Sequence, residues 1–341
     1  MLVDGNIGGT VDGTEGGDLD VLNAQVEAAE RAGLDGVWST ETGHDPFLSL
    51  LLAARQSSSL QVGTAIAVAF ARNPMTTAMT AFDMHTYTGG RFMLGLGSQI
   101  EAHITRRFSM PWSAPAPRMR EFIEAVRAIW ASWQTGDRLY FKGEFYQHTL
   151  MSPMFRPAPN PKGTPPILLA AVGPAMTKVA ARAADGLLVH GFTTERYLRE
   201  VTLPMVTEGL GERPRSEFVI NLPVLTATGS TEEELATATQ AVRAQIAFYG
   251  STKAYRPVLE LHGWGDLQTE LHGLSKQGDW KAMAGLIDDT VLRTFAVVGS
   301  AAEAGAEIRS RFDDVVDRLT LYTPYQMQDE VRTALVAAIR G

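Results

Sequence analysis

Residues 61–101 read QVGTAIAVAFARNPMTTAMTAFDMHTYTGGRFMLGLGSQIE, and this stretch decides the predicted fold class. An apolar, β-branched run at 62–70 precedes Asn73-Pro74 and a segment with helical spacing. Gly89-Gly90 then leads into a second apolar run at 92–96. Continuous apolar strands separated by a helix are typical of a parallel sheet that is buried on both faces. In such sheets we expect functional groups just beyond the carboxyl ends of the strands.

The same alternation continues along the chain on both sides of this stretch. Further strands are predicted at residues 2–7, 37–41, 167–172, 186–189, 218–227 and 318–322. Segments with helical spacing or helix-start signals separate them, and capping boxes are predicted at Thr231 and Ser300. Eight strands alternating with helices predict an α/β fold, a (β/α)8 TIM barrel in one domain over residues 1–341. Insertions are predicted at about 134–165 and 250–290, and a glycine-rich turn at 8–17.

Composition narrows the class of protein. The 341 residues carry a net charge of −8, which disfavours binding to nucleic acid or to an anionic membrane. There is no cysteine, so disulfides and thiolate chemistry are excluded. Neither a signal peptide nor an apolar run of membrane-spanning length is recognisable. We therefore expect a cytoplasmic enzyme or binding protein that acts on a small molecule.

Common catalytic motifs are missing. Gly95-Leu96-Gly97 begins like a dinucleotide fingerprint but lacks the third glycine, so we interpret it as small residues that make room for a planar ligand. The sequence has no Walker lysine, no paired histidines at metal-ligand spacing and no Gly-x-Ser-x-Gly elbow. By contrast, residues 170–174, AAVGP, place a helix start directly after a strand, which suits a phosphate. A short turn with a proline start explains them equally well.

Polar side chains follow three predicted strands at the end where function is expected. They are Glu41, Thr42, His44 and Asp45 after the second strand, Glu101, His103, Arg106 and Arg107 after the fourth, and His190 after the sixth. A carboxylate and an imidazole at this edge suit acid–base chemistry or ligand orientation. Each also has a structural interpretation, since Asp45 is a plausible helix cap and the others are plausible solvated loop residues.

Taken together, several segments resemble the bacterial luciferase-like monooxygenase superfamily, and most of all its coenzyme F420-dependent oxidoreductase branch. The segments are TAIAVAFARNP, TGGRFMLGLGSQ, PILLAAVGP, ADGLLVHGF and FAVVGS with DRLTLYTPY, in order over nearly the whole chain. The resemblance implies a (β/α)8 barrel with insertions that binds a flavin or deazaflavin at its mouth. It also implies a homodimer.

The resemblance assigns roles to particular residues. Many F420-dependent members have a non-proline cis peptide behind the deazaflavin ring, and the matching bond is Ala65–Ile66. Ser98 and Gln99 would line the ring, and Val172 and Gly173 would hold the cofactor phosphate through backbone N–H groups. The remaining cofactor-site assignments are Thr40 and Thr42 near the reactive edge, and His190.

Two departures from the family pattern concern acid–base residues. Relatives often have an acidic residue followed by histidine after the second strand, whereas this chain has Glu41-Thr42 and then His44. A glutamate that donates a proton in a sugar-phosphate-oxidising relative has no clear match, because Gln99, Ile100 and Glu101 compete for its place. His44 would take over the role of the histidine, whereas the missing match for the glutamate argues against oxidation of a sugar phosphate. By the same resemblance, residues 106–112 would lie over the barrel mouth and shape the substrate pocket.

Three hypotheses follow. The first is an F420-dependent oxidoreductase that moves a hydride between the deazaflavin C5 and a small organic substrate, with His44 or Glu41 as the acid–base residue and Glu101 or His103 next. The second is an FMN-dependent monooxygenase. The third is a flavin- or deazaflavin-binding protein without catalysis. None of them uses a metal.

Overall fold

A computed structural model describes residues 1–8 and 18–341. The predicted glycine-rich turn therefore lies, apart from Gly8, outside the described residues. The strands are β1 Leu2–Asn6, β2 Gly36–Ser39, β3 Gln61–Thr64, β4 Ala67–Val68, β5 Phe92–Gly97, β6 Phe141–Lys142, β7 Gln147–His148, β8 Ile167–Ala171, β9 Gly186–Val189, β10 Val219–Ala227, β11 Ala296–Val298 and β12 Arg318–Tyr322.

Helices separate most of these strands. They are α1 Leu19–Arg31, α2 Pro46–Gln56, α3 Pro74–Tyr87, α4 Pro115–Thr135, α5 Pro174–Ala183, α6 Glu195–Tyr197, α7 Leu203–Leu210, α8 Glu232–Gly250, α9 Arg256–Glu260, α10 Gly265–Gln277, α11 Trp280–Gly285, α12 Asp289–Phe295, α13 Ala301–Phe312 and α14 Asp329–Arg340. Several begin as their sequences predict. Pro46, Pro74 and Pro174 each occupy the first helical turn, where a missing N–H is harmless.

The order of hydrogen-bonded strands confirms the predicted fold class. The order β12-β1-β2-β3-β5-β8-β9 follows the chain, and β10 pairs with both β12 and β9. β1 runs parallel to β12, β10 to β12, β3 to β5 and β5 to β8, with registers such as Val3↔Leu319 and Leu94↔Ile167. This is the connectivity of a (β/α)8 barrel, in which the carboxyl ends of all strands share one edge. β4 and β11 are short additional strands, and β6 and β7 form a separate antiparallel pair.

By contacts between residues, the chain divides into two compact units. Unit 1 comprises residues 1–37, 189–205 and 220–341, and unit 2 comprises residues 38–188 and 206–219. The assignment of residues 1–341 to one domain stays a prediction.

A buried ion pair and a large aromatic and aliphatic core hold unit 1 together. Arg318 on β12 donates to both carboxylate oxygens of Asp4 on β1, from Nε at 2.7 Å and from Nη2 at 2.6 Å. Asp4 is fully buried and Arg318 nearly so. The core contains Val242 and Ile246 of α8 together with buried residues of α9 to α12. Residues 250–290 are therefore helical, as their sequence predicts.

Close packing around Trp38 and Thr64 holds the strands of unit 2 together. A Cβ on Gly63 would lie 2.3 Å from the Trp38 ring, and a Cβ on Gly95 would lie 1.8 Å from the Thr64 carbonyl oxygen. The buried Thr64 hydroxyl donates to Gly95 O at 2.7 Å and accepts from Gly95 N at 2.9 Å. The absence of side chains on Gly63 and Gly95 thus permits the close approach of β2, β3 and β5.

The structure corrects two features of the predicted strands. The apolar run at 62–70 is not one strand, because β3 ends at Thr64, β4 covers two residues and residues Ala69–Ala71 form a 3-10 turn. Here the backbone bonds to the end of β2 and to the loop after it, since Ala65 N donates to Ser39 O and Glu41 N donates to Ile66 O. In addition, β11 was not predicted, because a strand of three residues is too short to show an alternating pattern in the sequence.

The structure also corrects two features of the predicted helices. The capping box at Ser300 has both of its hydrogen bonds. At Thr231 only one of the two bonds forms: the Thr231 side chain accepts from Glu234 N, but the Glu234 carboxylate accepts from Ser230 N instead of Thr231 N. The helical segment predicted between the strands β9 and β10 contains a π-helical turn at Leu198–Thr202.

Candidate functional site

The loop after β2 holds the first group of predicted site residues. Glu41 is buried, and its Oε2 accepts from Val68 N at 2.7 Å and pairs with Arg72 Nη1. Arg72 also donates to Asp45 Oδ2 at 3.0 Å, while Asp45 Oδ1 caps α2 by accepting from Phe47 N. The Glu41 carboxylate therefore anchors the loop to the segment after β3. Asp45 is the helix cap that its sequence position predicts.

The other residues of this loop are accessible. Thr40, Thr42 and His44 are exposed, and the Thr42 carbonyl accepts from Arg107. Within residues 1–8 and 18–341, the His44 side chain makes no hydrogen bond and no ion pair, so its imidazole is available to a ligand.

The segment after β3 lies against the end of β5. The peptide bond between Ala65 and Ile66 is cis, at the position that the resemblance implies. A Cβ on Gly97 would lie 2.3 Å from Ile66 Cδ1, so β5 approaches Ile66 closely. Ser98 Oγ donates to Gln99 O at 3.1 Å, and Gln99 has a left-handed φ of 59°. That conformation is uncommon for a residue other than glycine and is found often at functional sites.

Glu101 and His103 lie further from the strand end. Both are exposed, and His103 begins a π-helical turn at His103–Arg107. Neither side chain makes a hydrogen bond or ion pair with any part of the chain that the structure describes. The structure thus brings Glu41 and the segment after β3 into contact, but it leaves Glu101 and His103 as solvated side chains.

The turn between β8 and α5 fits the predicted phosphate site. Gly173 is the N-cap of α5, and no side chain within residues 1–8 and 18–341 caps this helix. A Cβ on Gly173 would meet no atom of the described residues within 4 Å, and Val172 is 38% exposed. The first-turn N–H groups of α5 are therefore open to an anion, as the phosphate interpretation requires.

In unit 1, His190 follows β9 and is the centre of an aromatic cluster. Its Nδ1 accepts from Phe192 N at 3.0 Å, so the proton of the neutral ring is on Nε2, which lies 2.9 Å from the Tyr255 hydroxyl. Burial lowers the pKa of His190 from 6.5 to about 4. His190 is therefore neutral at physiological pH.

Three tyrosines complete this cluster, which we call the His190 cluster (His190, Tyr249, Tyr255 and Tyr322). The His190 ring stacks on Tyr255 with centroids 4.4 Å apart and meets the edge of Tyr249 at 4.9 Å. The hydroxyls of Tyr249 and Tyr322 are 2.7 Å apart. Burial raises the pKa of Tyr255 to about 12 and also raises the pKa values of Tyr249 and Tyr322. All four side chains are thus uncharged at neutral pH.

Sequence reasoning missed the tyrosines and Arg72. Tyr322 could have been found, because it ends a strand as a polar residue, in the same way that His190 follows one. Tyr249, Tyr255 and Arg72 have no such local signal, since they reach their partners across 31 to 73 residues of chain. Across the described ranges, His, Asp and Glu side chains form no group of three or more that could hold a metal ion.

His190 makes stability depend on pH. Because its pKa is about 4 in the folded protein and near 6.5 in the unfolded chain, the unfolded chain binds more protons between these values. The contribution of His190 is thus fully present above pH 6.5 and is lost as pH falls toward 4. Between pH 7.5 and pH 4.5, the free energy of unfolding measured with urea should fall by roughly 2–3 kcal/mol more in the wild-type protein than in His190→Asn. Equal losses in the two proteins would contradict this role of His190.

Comparison with known proteins places the chain in a family. The model of the family described as luciferase-like monooxygenase matches residues 5–318. The chain belongs to this family, and its fold is the (β/α)8 barrel of luciferase-like proteins.

Individual relatives agree with this assignment. An uncharacterized protein of Mycobacterium tuberculosis is 54% identical over 310 residues, which cover 90% of this chain and 91% of the relative. An F420-dependent glucose-6-phosphate dehydrogenase of Nocardia farcinica is 29% identical over 224 residues, 61% of this chain and 64% of the relative. A solved structure, the coenzyme F420-dependent tetrahydromethanopterin reductase of Methanopyrus kandleri, superposes with a TM-score of 0.81 at 19% identity, covering 98% of this chain and 97% of the reductase. Oxidoreductases are thus the enzymes to which this chain is similar.

None of the helices within residues 1–8 and 18–341 is both long enough and apolar enough to cross a membrane.

Proposed function

We propose that the protein is an F420-dependent oxidoreductase that transfers a hydride between the deazaflavin C5 and a small organic substrate. The observation that carries the proposal is the fit of β5 against the segment after β3. Gly95 and Gly97 bring the β5 backbone against Thr64 and Ile66, where the family resemblance places the deazaflavin ring. The F420-dependent dehydrogenase of Nocardia farcinica supports the choice of cofactor.

The cofactor would be held at two places in unit 2. At the ring, Ala65 and Ile66 would form one wall, and Ser98 and Gln99 would line it at the end of β5. At the phosphate, the backbone N–H groups of Val172 and Gly173 and the first turn of α5 would bind the anion. Thr40 and Thr42 would lie near the reactive edge, where their exposed side chains can contact a ligand. The resemblance also assigns a cofactor-binding role to His190, and that assignment stays a prediction.

When bound, the deazaflavin supplies two-electron hydride chemistry, so the chain has to orient the substrate, exclude water and manage one proton. His44 suits the proton role better than Glu41 does. The His44 imidazole is exposed and available, whereas the Glu41 carboxylate already bonds Arg72 and Val68 N. Glu101 and His103 remain the second choice, because both are accessible but lie beyond the strand end, Glu101 two residues before the π-helical turn and His103 at its start.

The proposed acid–base role of His44 has a direct test. In His44→Asn we expect kcat to fall about 100-fold, because a positioned proton donor or acceptor contributes on this scale. The Kd for F420 should not change. Turnover would be followed as anaerobic oxidation of reduced F420 with a panel of small organic acceptors, using the acceptor that the wild-type protein reduces.

Glu41→Gln is the matched comparison for His44→Asn. It should lower the denaturation midpoint through loss of the Arg72 pair, and turnover per folded molecule should fall less than in His44→Asn. If Glu41→Gln lost turnover while His44→Asn retained it, the two roles would have to be exchanged.

An FMN-dependent monooxygenase is the second candidate, favoured by the description of the matching family. Oxygen uptake coupled to reduced FMN, without turnover of reduced F420, would establish it. Binding of F420 with no turnover on any acceptor would favour a non-catalytic binding protein. A homodimer and a cytoplasmic location, both expected from the sequence, remain proposals that gel filtration and cell fractionation would test.

A further inference from the structure

The His190 cluster contains a hydroxyl group whose hydrogen has no acceptor in the part of the chain that the structure describes. His190 Nδ1 accepts from Phe192 N, so Nε2 must carry the ring proton and donate it to Tyr255 Oη at 2.9 Å. The opposite tautomer would set two N–H groups against each other. Tyr255 therefore accepts from His190, and its own O–H hydrogen faces no acceptor among residues 1–8 and 18–341.

The position of this hydroxyl is fixed by its neighbours. Tyr255 ends a 3-10 turn at Lys253–Tyr255, and its ring stacks on His190 and contacts Phe192 at 5.7 Å between centroids. The Tyr249 ring meets Tyr255 edge-on at 6.1 Å. A donor held in this way loses little rotational freedom when a ligand binds, so its hydrogen bond gives specificity at low entropic cost.

The cluster also lies where barrel enzymes bind their substrates. His190 directly follows β9, and Tyr322 is the last residue of β12, so both lie at the carboxyl ends of their strands. The Tyr322 ring packs on Gly191, where a Cβ would lie 3.1 Å from it. Functional groups in barrel enzymes come from this edge.

The hydrogen bond and ring contacts of Tyr255 are with uncharged side chains, namely His190, Phe192 and Tyr249. Arg256, next in the chain, donates to Glu260 at 2.6 Å and to Gln268 and Thr269 at 3.2 and 3.1 Å. The remaining members of the cluster are neutral aromatic rings. An uncharged donor among half-buried aromatic rings suits a neutral carbonyl oxygen, whereas a phosphate requires cationic or backbone donors.

We propose that Tyr255, oriented by His190, donates a hydrogen bond to a neutral carbonyl oxygen of the substrate, so that the substrate class is an uncharged carbonyl compound. This inference rests on the proposed function for the reaction, but the binding contact itself needs no turnover. Tyr255 keeps its proton in this role and acts as a binding residue. His190 acts through Tyr255 and is a positioning residue.

Tyrosine resonances test the contact directly. The chain has eight tyrosines, so protein labelled with carbon-13 at the tyrosine Cζ gives few signals, each assignable by a Tyr→Phe variant. N-methylacetamide serves as a neutral carbonyl probe and inorganic phosphate as its anionic counterpart. We expect a saturable shift of the Tyr255 signal with N-methylacetamide and none with phosphate, while Tyr87, which is 69% exposed, shows no saturable change.

The variant His190→Asn isolates the positioning role, because Asn can still accept from Phe192 N but has no donor that reaches Tyr255. We expect N-methylacetamide to bind it about tenfold more weakly, as the loss of one hydrogen bond in an ordered site predicts. In Tyr255→Phe/His190→Asn the binding should be no weaker than in Tyr255→Phe alone, because His190 acts only through the hydroxyl. Additive losses would overturn the positioning role.

A Tyr255 signal that does not respond to N-methylacetamide, or responds to phosphate instead, would overturn the carbonyl contact. Fluorescence titration of the same samples with F420 separates this failure from failure of the proposed function. Protein that binds F420 but lacks the Tyr255 response contradicts only this inference, whereas protein that does not bind F420 contradicts the proposed function.

Discussion

Gly95→Ala is expected to lower the free energy of unfolding by about 4 kcal/mol or more, or to prevent folding. The added Cβ would lie 1.8 Å from the Thr64 carbonyl oxygen, which is backbone and cannot rotate away. The clash can be relieved only if β3 and β5 move apart, and this movement breaks both hydrogen bonds between the Thr64 hydroxyl and Gly95. Urea unfolding followed by circular dichroism measures the loss, and the yield of folded protein reports on a variant that fails to fold.

Two glycine variants serve as controls. The Cβ added by Gly97→Ala would lie 2.3 Å from Cδ1 at the far end of the flexible Ile66 side chain. Gly97→Ala should therefore lower the free energy of unfolding less than Gly95→Ala does. Gly273→Ala lies within α10 with nothing within 4 Å of the new Cβ, and it should stabilise the protein by about 0.5–1 kcal/mol. If Gly95→Ala unfolded at the wild-type midpoint, the close approach of β3 and β5 would be wrong.

Asp4→Asn is expected to destabilise the protein by about 3–5 kcal/mol. The substitution keeps the shape of the side chain but leaves the Arg318 guanidinium buried without its carboxylate, which accepts at 2.6 and 2.7 Å in the wild-type protein. The cost arises because the buried guanidinium loses the negative charge of the Asp4 carboxylate. The double variant Asp4→Asn/Arg318→Met removes that charge and should unfold at a higher urea concentration than Asp4→Asn alone.

The matched control for this prediction is Asp314→Asn. Arg199 also contacts both oxygens of Asp314, at 2.8 Å each, but that pair is on the surface. Solvent screens exposed pairs, so the urea midpoint should stay unchanged. Equal effects of Asp4→Asn and Asp314→Asn would show that burial does not set the strength of the Asp4–Arg318 pair.

Much of the fold could be predicted because its signals are local. The strand Gly186–Val189 and the capping box at Ser300 occur as their sequences predict, since apolar runs and caps depend on neighbouring residues. The alternation of strands and helices then places every strand end on one edge, so residues such as His44 and Val172 could be selected without a structure. The break after Thr64 could not be predicted, because an apolar run has the same pattern whether or not its strand is continuous.

The candidate site was less predictable because its partners are distant in the chain. Glu41 looked like an accessible acid from its place after a strand, but Arg72, 31 residues away, binds its carboxylate. Likewise His190 is 65 residues from Tyr255, and only the folded chain shows that Phe192 N–H fixes its tautomer. Contacts between residues so far apart in the chain leave no periodic pattern in the sequence. The sequence therefore predicts where the strands end, but not which hydrogen bonds and ion pairs the side chains at those ends form.

The most direct test of the account is a titration of the protein with F420 and with FMN under identical conditions, followed by quenching of its tryptophan fluorescence. We predict saturable quenching by F420 and binding of FMN at least about tenfold weaker, a difference of about 1.4 kcal/mol in binding free energy. Tight binding of FMN with no saturable response to F420 would contradict the proposed function.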